Sequence, residues 1–337
     1  MNEQDKKKEP KSVDELLKYL SEEKGIVIDE VRHKQKLMTI GYYHGYKGYR
    51  YIRRGNSSRS IKYDNFDQLL AVYEFDARLK AIFYPYVMMI ETGLKNSVLN
   101  TVIKLTGSDS FADIYEKLIH TTKYEKSDQR DSAKKELSKR LRLRNQIYHV
   151  HTRAFDNNNR IAGHYLWQGR NIPIWATFEL LSLGEFGQFV SCIRKEERKQ
   201  ISEDLGIYHA VDTSVEMLQR LIYAIKDLRN AIAHNNVIFD TGFRTGHIDK
   251  QVSEAIKMEL GVEKVDFGTI TDYLVLIVYL LKLLQTPAED IAALIDDYVA
   301  CTEKLRSSIA ISIYNQIIYT NQNTKIKELR KAVLGKE

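Results

Sequence analysis

Apolar side chains recur three or four positions apart along most of this chain, and strict alternation is scarce, so the pattern predicts helices almost throughout. The longest stripe follows Asp64, the expected helix cap: Leu69, Val72 with Tyr73, Leu79, Ile82 with Phe83, Tyr86 with Val87, Ile90, Leu94, Val98 and Val102. That spacing gives one core-facing side to a single long helix, and Pro85 inside it predicts a kink. Segments 174–194, 215–235 and 267–284 predict further helices, and 288–334 a helical tail of one or two segments. Upstream, Ser12-Val13-Asp14-Glu15 spells a helix start, with acids in the first turn. One stretch departs from the helical period: 49–61 reads as a short β ribbon turned at Gly55-Asn56-Ser57-Ser58. The expected organisation is a disordered tail (1–13), an N-terminal unit (14–63) and a helical bundle (64–337). A polar insertion at about 107–163 interrupts that bundle, with Asp156-Asn157-Asn158-Asn159 as a loop. The fold class is therefore all-α.

Composition adds exclusions. A chain of 337 residues with 43% hydrophobic and 28% charged residues can bury a sizeable core. Cys192 and Cys301 are the only cysteines, which excludes a disulfide framework and a zinc set. His149, His151 and His164 have no Cys or carboxylate set beside them, so neither a metal nor any other cofactor is expected. The start, Met1 to Glu15, is polar and lacks a signal-peptide pattern. The longest apolar run, Tyr273 to Leu284, is interrupted by Lys282 and falls short of the roughly 20 residues of a bilayer span. A cytoplasmic protein without a membrane partner is the expectation.

The net charge of +6 is modest, but its distribution is uneven. Residues 44–62 hold Lys47, Arg50, Arg53, Arg54, Arg59 and Lys62 with Tyr46, Tyr49 and Tyr51, and no acid. Cations attract phosphates and tyrosine rings stack on unpaired bases, so Lys47, Tyr49, Arg50, Tyr51, Arg53, Arg54, Arg59 and Lys62 are candidate RNA contacts. A second basic stretch, 134–153, has only Glu136 against it.

The candidate chemistry lies in Leu228-Arg229-Asn230-Ala231-Ile232-Ala233-His234-Asn235, inside an apolar run formed by Leu218, Leu221, Ile222, Ile225, Leu228 and Ile232. Histidine titrates near neutrality and can move the proton of a ribose 2′-hydroxyl or of a leaving group. Arginine keeps its charge and can fork onto a phosphate as negative charge builds. At ~100° per residue, Arg229 and His234 lie roughly 140° apart around an ideal helix. Asn230 and His234, four apart, share a face. Arg229, Asn230 and His234 are therefore the candidate catalytic set, with Arg229 bending round the helix or a second copy completing the site. Glu91, beside the long stripe, is placed either to orient Arg229 from a facing helix or to pair with Lys95. Arg144-Asn145-Gln146-Ile147-Tyr148-His149 repeats the R-N-x-x-x-H spelling. Arg144 and His149 could thus supply a second set in one chain, although Arg144 also belongs to a basic run suited to RNA or phosphate contact.

The R-N-x-x-x-H motif resembles the signature of the HEPN ribonuclease superfamily. Three further blocks, in order, resemble the Abi family of bacterial abortive-infection proteins, in particular its AbiD/AbiF-like group. The first runs from Leu16-Leu17-Lys18 through Lys24-Gly25-Ile26-Val27-Ile28 to Ile40-Gly41-Tyr42-Tyr43 and Gly48-Tyr49. The second runs from Leu69-Leu70-Ala71-Val72-Tyr73-Glu74-Phe75-Asp76-Ala77-Arg78-Leu79 to Ile90-Glu91-Thr92-Gly93-Leu94-Lys95. The third comprises His164-Tyr165, Ile172-Pro173-Ile174-Trp175 and Phe178-Glu179-Leu180-Leu181-Ser182-Leu183-Gly184. The chain departs from the pattern at His44, where the family often has Arg, and after His234, where Asn235-Asn236-Val237 replaces the family's His-containing run. The resemblance implies a HEPN-like bundle and a metal-independent endoribonuclease toxin of phage defence. It also implies a homodimer with RNA as substrate and, in part of the family, a bound structured non-coding RNA. The alternatives are a non-catalytic HEPN-type RNA-binding protein, or a protein-interaction module in phage defence.

Overall fold

The structure, a computed structural model, describes residues 11–54, 57–119, 130–207 and 212–335. Helices α1 (Val13–Glu22) and α2 (Glu30–Ile40) lead through a π-helical stretch, Gly41–Lys47, into a hairpin of β1 (Tyr51–Arg54) and β2 (Ser57–Ser60). The 41-residue α3 (Phe66–Thr106) follows. Next come α4 (Phe111–Ile114), a second π-helical stretch (Tyr115–Ile119), α5 (Arg130–Asp156), α6 (Arg160–Leu166), α7 (Ile174–Leu180) and α8 (Leu183–Cys192). Beyond α9 (Lys195–Asp204) and α10 (Met217–Ala233) lie α11 (Lys250–Leu260), α12 (Ile270–Leu283), α13 (Ala288–Ser308), α14 (Ile311–Ile318) and α15 (Gln322–Leu334). Among the described residues the architecture is all-α with one antiparallel ribbon, as the hydrophobic pattern predicts.

The start of α1 is the expected one. Ser12 Oγ accepts from Glu15 N, and the Glu15 carboxylate accepts from Ser12 N, a reciprocal cap that satisfies two otherwise orphaned donors. The expected tail falls mostly on residues 1–10, outside the described residues, and the chain is already helical at Val13. The ribbon pairs Tyr51 with Ser60 and Arg54 with Ser57, while its turn, 55–56, lies outside the described residues.

Helix α3 is the axis of the molecule. It begins one residue later than the pattern suggests: Asn65, not Asp64, is the cap, its Oδ1 accepting from Gln68 N at 3.0 Å. Asp64 backs this cap through its own N–H, which donates to Gln68 Oε1 at 2.9 Å. The helix continues through Pro85 and spans ~60 Å at 1.5 Å per residue. It stops at Gly107, whose left-handed φ of 64° lets its N–H close onto Ile103 O at 2.8 Å. Helices α7, α9, α10, α12 and α13 all pack against it, which is why so long a helix keeps a continuous buried stripe from Phe66 to Val102.

Helix α12 is buried at every residue from Ile270 to Leu281, so its run lacks a polar face because every side meets another helix. No helix of the described residues is long and apolar enough to cross a membrane. The segment expected as an insertion is built into the core: α5 contributes buried Leu143, Ile147 and Val150 and packs on α6, α7 and α8.

Two further expectations about elements need correction. Residues 174–194 form two helices, because Ser182 and Glu185 make a reciprocal cap that starts α8 afresh. The tail has three segments, broken after Ser308 and at Tyr319, which takes φ 62°. Helices α9 and α11 were not expected; α9 buries little beyond Ile201 and Ser202, so its hydrophobic period is faint.

The tail is pinned by a buried ion pair between Asp272 of α12 and Lys325 of α15, with side chains 0% and 4% exposed. Burial is the largest influence on Asp272 and pushes its pKa up to about 6, against the opposing pull of Lys325. The folded protein therefore holds this proton more tightly than the unfolded chain. The contribution of Asp272 to stability is full below its ordinary value of 3.8 and declines as pH rises through about 6. Asp272→Asn should flatten this part of the pH–stability profile, as read by denaturant unfolding across that range.

Candidate active site

Helix α10 ends in a Schellman turn. Asn236 N donates to Ala231 O at 2.8 Å and Asn235 N to Ile232 O at 3.1 Å, with Asn235 left-handed at φ 52°. Asparagine is the residue other than glycine that tolerates this conformation best, which accounts for Asn235 directly after the motif. His234 is thus the C-cap rather than a residue of the helix interior. Its side chain is exposed and has no hydrogen-bond partner among the described residues.

Arg229 leaves the helix on another side. Its Nε donates to Glu91 Oε2 of α3 at 2.6 Å, and its Nη1 to Asn230 Oδ1 at 3.4 Å. The Arg229 side chain is 26% exposed, and none of the described residues takes its Nη2. Glu91 fulfils both expectations at once: its other oxygen accepts from Lys95 Nζ at 2.9 Å, and Lys95 in turn donates to Leu181 O at 2.7 Å. A buried carboxylate shared by two cations thus fixes the Arg229 side chain. Gly187 of α8 lets α10 approach closely, since a Cβ there would stand 3.1 Å from Ile222 and from the Tyr223 ring. Arg229 and Asn230 are brought together by their side chains; His234 is joined to Asn230 only through the backbone, its N–H donating to Asn230 O at 3.0 Å, and no described side-chain contact links it to either.

What holds His234 in place lies outside the motif. Asp76 of α3, fully buried, accepts from Ile238 N at 2.7 Å and Phe239 N at 2.8 Å through one oxygen. Its other oxygen takes Tyr49 OH at 2.8 Å and Lys80 Nζ at 2.8 Å. Lys80 also donates to Asn235 Oδ1 at 2.9 Å. The chain reversal after α10 is therefore clamped by an Asp–Lys pair one turn apart on α3. In the sequence the clamp shows only as a carboxylate, Asp76, set beside Phe75 within the apolar stripe. On the same reversal His44 Nε2 lies 3.4 Å from Asn235 Nδ2. The sequence marks His44 only as a departure from the family pattern; the structure sets an exposed second imidazole beside the residue that follows His234.

The candidate RNA contacts divide. Tyr49 is corrected outright: it is 1% exposed, stacks on Phe239 with ring centres 5.7 Å apart and donates to Asp76, so it cannot stack on a base. Arg53 is an internal tie as well, its N and Nε both donating to Asp240 Oδ2, at 3.0 and 2.9 Å. Burial is the main influence on Asp240 and raises its pKa, with Arg53 opposing. Lys47 lies over the rings of Tyr42 and Tyr43, and Arg50 over those of Tyr46 and Tyr51, its Nη2 also donating to Tyr51 OH. Arg59 and Lys62 are exposed. The Arg54 side chain falls outside the described residues. The repeated spelling is not part of this site: Arg144 and His149 are exposed in mid-α5, and Arg144 lies over Tyr115, with no described contact to Arg229, Asn230 or His234. Among the described residues no group of three or more His, Cys, Asp or Glu is placed to hold a metal ion.

The family model for Abi-like proteins matches residues 35–240, from within α2 to Asp240 and so across the whole of this site. No curated protein and no solved structure matches.

Proposed function

The chain belongs to the family of Abi-like proteins, a family associated with abortive infection and phage defence, and from that premise we propose that it is a metal-independent endoribonuclease toxin of the HEPN type. The reading is carried by one observation: Arg229 is held by a buried carboxylate at the same helix end where a Schellman turn leaves the His234 imidazole exposed. In the proposed reaction a ribose 2′-oxygen attacks the adjacent phosphorus and the P–O5′ bond breaks. His234 takes the 2′-hydroxyl proton or supplies one to the departing 5′-oxygen. Arg229, its Nε engaged by Glu91, turns its Nη edge to the phosphate as charge develops. Asn230 steadies the Arg229 fork. The products are a 2′,3′-cyclic phosphate and a 5′-hydroxyl.

The reaction needs both a base and an acid, and one α10 supplies one histidine. We assign the second to another copy of the chain, paired about a two-fold axis through the end of α10 so that the same patch meets itself. Mixing tests this. A dimer of one wild-type and one His234→Ala chain, which keeps both arginines but one imidazole, should lose most of its cleavage. An active protein that sediments as a monomer and is silenced by His44→Ala would instead assign the second imidazole to His44.

RNA binding gives a further check. Arg59→Gln with Lys62→Gln should weaken affinity and lower the slope of log affinity against log salt by up to about 2. Arg53→Gln should act mainly on stability, because it strips buried Asp240 of its cation. An unchanged slope in a salt titration of the Arg59/Lys62 variant would remove this strand from the RNA interface.

A further inference from the structure

A second concavity, of about 630 Å³, opens between α4, α5, α6 and the start of α7. None of its lining residues belongs to the α10 site. Its walls are aromatic: Phe111, Tyr148, Tyr165 and Trp175. Phe111 meets Tyr148, and Tyr165 meets Trp175, edge to face at 83° and 76°, so neither pair covers itself by stacking. Tyr148 and Trp175 remain 53% and 48% exposed, and large rings left open in a concave site mark a binding surface rather than core packing. The described lining holds one arginine, Arg170, and Arg144 lies outside it. Arg170 lies over the Tyr165 ring at 5.3 Å, and exposed Arg144 stands one turn before Tyr148 on the same side of α5. Asp109 is the one acid among the described lining residues, and Asn171 offers both a donor and an acceptor.

We propose that this cleft is a nucleotide site, taking one unstacked base of a single-stranded RNA against Trp175 or Tyr148, with Arg170 and Arg144 at the flanking phosphates. Every base has a face that stacks on an aromatic ring, single-stranded RNA is recognised through such splayed bases, and the volume suits one nucleotide. A peptide side chain would satisfy the rings but leave the two arginines without anionic partners. The proposal rests on the reading that the protein acts on RNA, and gives the strand a hold separate from the cut. It also gives Arg144 a role that the repeated motif spelling does not.

Trp167 and Trp175 are the only tryptophans, and Trp167 packs on Phe155 outside the cleft lining. In a Trp167→Phe, His234→Ala chain, Trp175 alone reports while cleavage is off. Titration with octa-adenylate or octa-uridylate RNA should quench Trp175 saturably, with the same midpoint as the anisotropy of a labelled strand. Tyr148→Ala should weaken binding about 5- to 100-fold, the range of one lost stacking contact. Arg144→Gln, at an exposed position that leaves the core untouched, should weaken it with a shallower salt slope. RNA binding without quenching, unchanged in both variants, would put the strand elsewhere and overturn the cleft while the ribonuclease reading stands. No RNA binding, or quenching by added peptide instead of RNA, would overturn it too. Quenching by RNA in a wild-type chain that never cleaves would support the cleft and retire the ribonuclease.

Discussion

His234→Ala should lower RNA cleavage about 10²- to 10⁴-fold and abolish toxicity on expression, the loss expected when a positioned general acid–base group is removed. Arg229→Ala should cost about 10²- to 10³-fold through lost stabilisation of the phosphate charge. Neither change should unfold the protein. His234 is exposed without a described partner, so its removal leaves nothing buried and unpaired. Removing Arg229 leaves Glu91 still paired with Lys95 at 2.9 Å. Arg229→Lys restores the charge but cannot engage Glu91 and a phosphate with one planar fork, so it should remain nearly inactive. Asn230→Ala should have a smaller effect, since an amide orients but does not transfer protons. Growth after induction, cleavage rates and thermal melts of the purified variants check these outcomes together. A folded Arg229→Ala, His234→Ala double variant with wild-type toxicity would sink the ribonuclease proposal.

Asp76→Ala should give the largest loss of stability of any single change discussed, about 3–5 kcal/mol, the usual cost of breaking a buried charge pair from one side. One substitution would strip partners from the Ile238 and Phe239 amides, Tyr49 OH and Lys80 Nζ, all at 2.7–2.8 Å. Asp76→Asn keeps the shape but loses the charge opposite Lys80 and the capacity to accept four bonds, so it should fall between the two. Because the clamp also fixes Asn235, both variants should lose cleavage as well as stability under conditions where they remain folded. Urea unfolding gives the stability change. An Asp76→Ala protein within about 1 kcal/mol of wild type would mean that the reversal after α10 is held by other contacts.

The long helix, the buried α12, the capped start of α1 and the ribbon are legible in the sequence because each follows from a local period or a cap. The breaks are less so. The division at Ser182 rests on a single capping residue within an otherwise apolar run, and the start of α3 hinges on which of two adjacent polar residues, Asp64 or Asn65, takes the cap. At the site, Arg229, Asn230 and His234 can be read from spelling, and Glu91 from its place beside a stripe. Their arrangement cannot, because it depends on partners far away in the chain: Asp76 and Lys80 on α3, His44 in the π-helical stretch, Asp240 under Arg53. Tyr49 shows the limit of composition. It lies in a basic, tyrosine-rich stretch suited to RNA, yet packing turns its ring inward onto Phe239. Basic runs locate a charged surface; they do not say which of their side chains face out.

The ends left on cut RNA test the central claim most directly. Purified protein incubated with single-stranded RNA in excess EDTA should leave 2′,3′-cyclic phosphate and 5′-hydroxyl ends, and the His234→Ala protein should leave the RNA intact. Intact RNA with the wild-type protein, or cleavage that requires a divalent metal and leaves 3′-hydroxyl ends, would contradict the account.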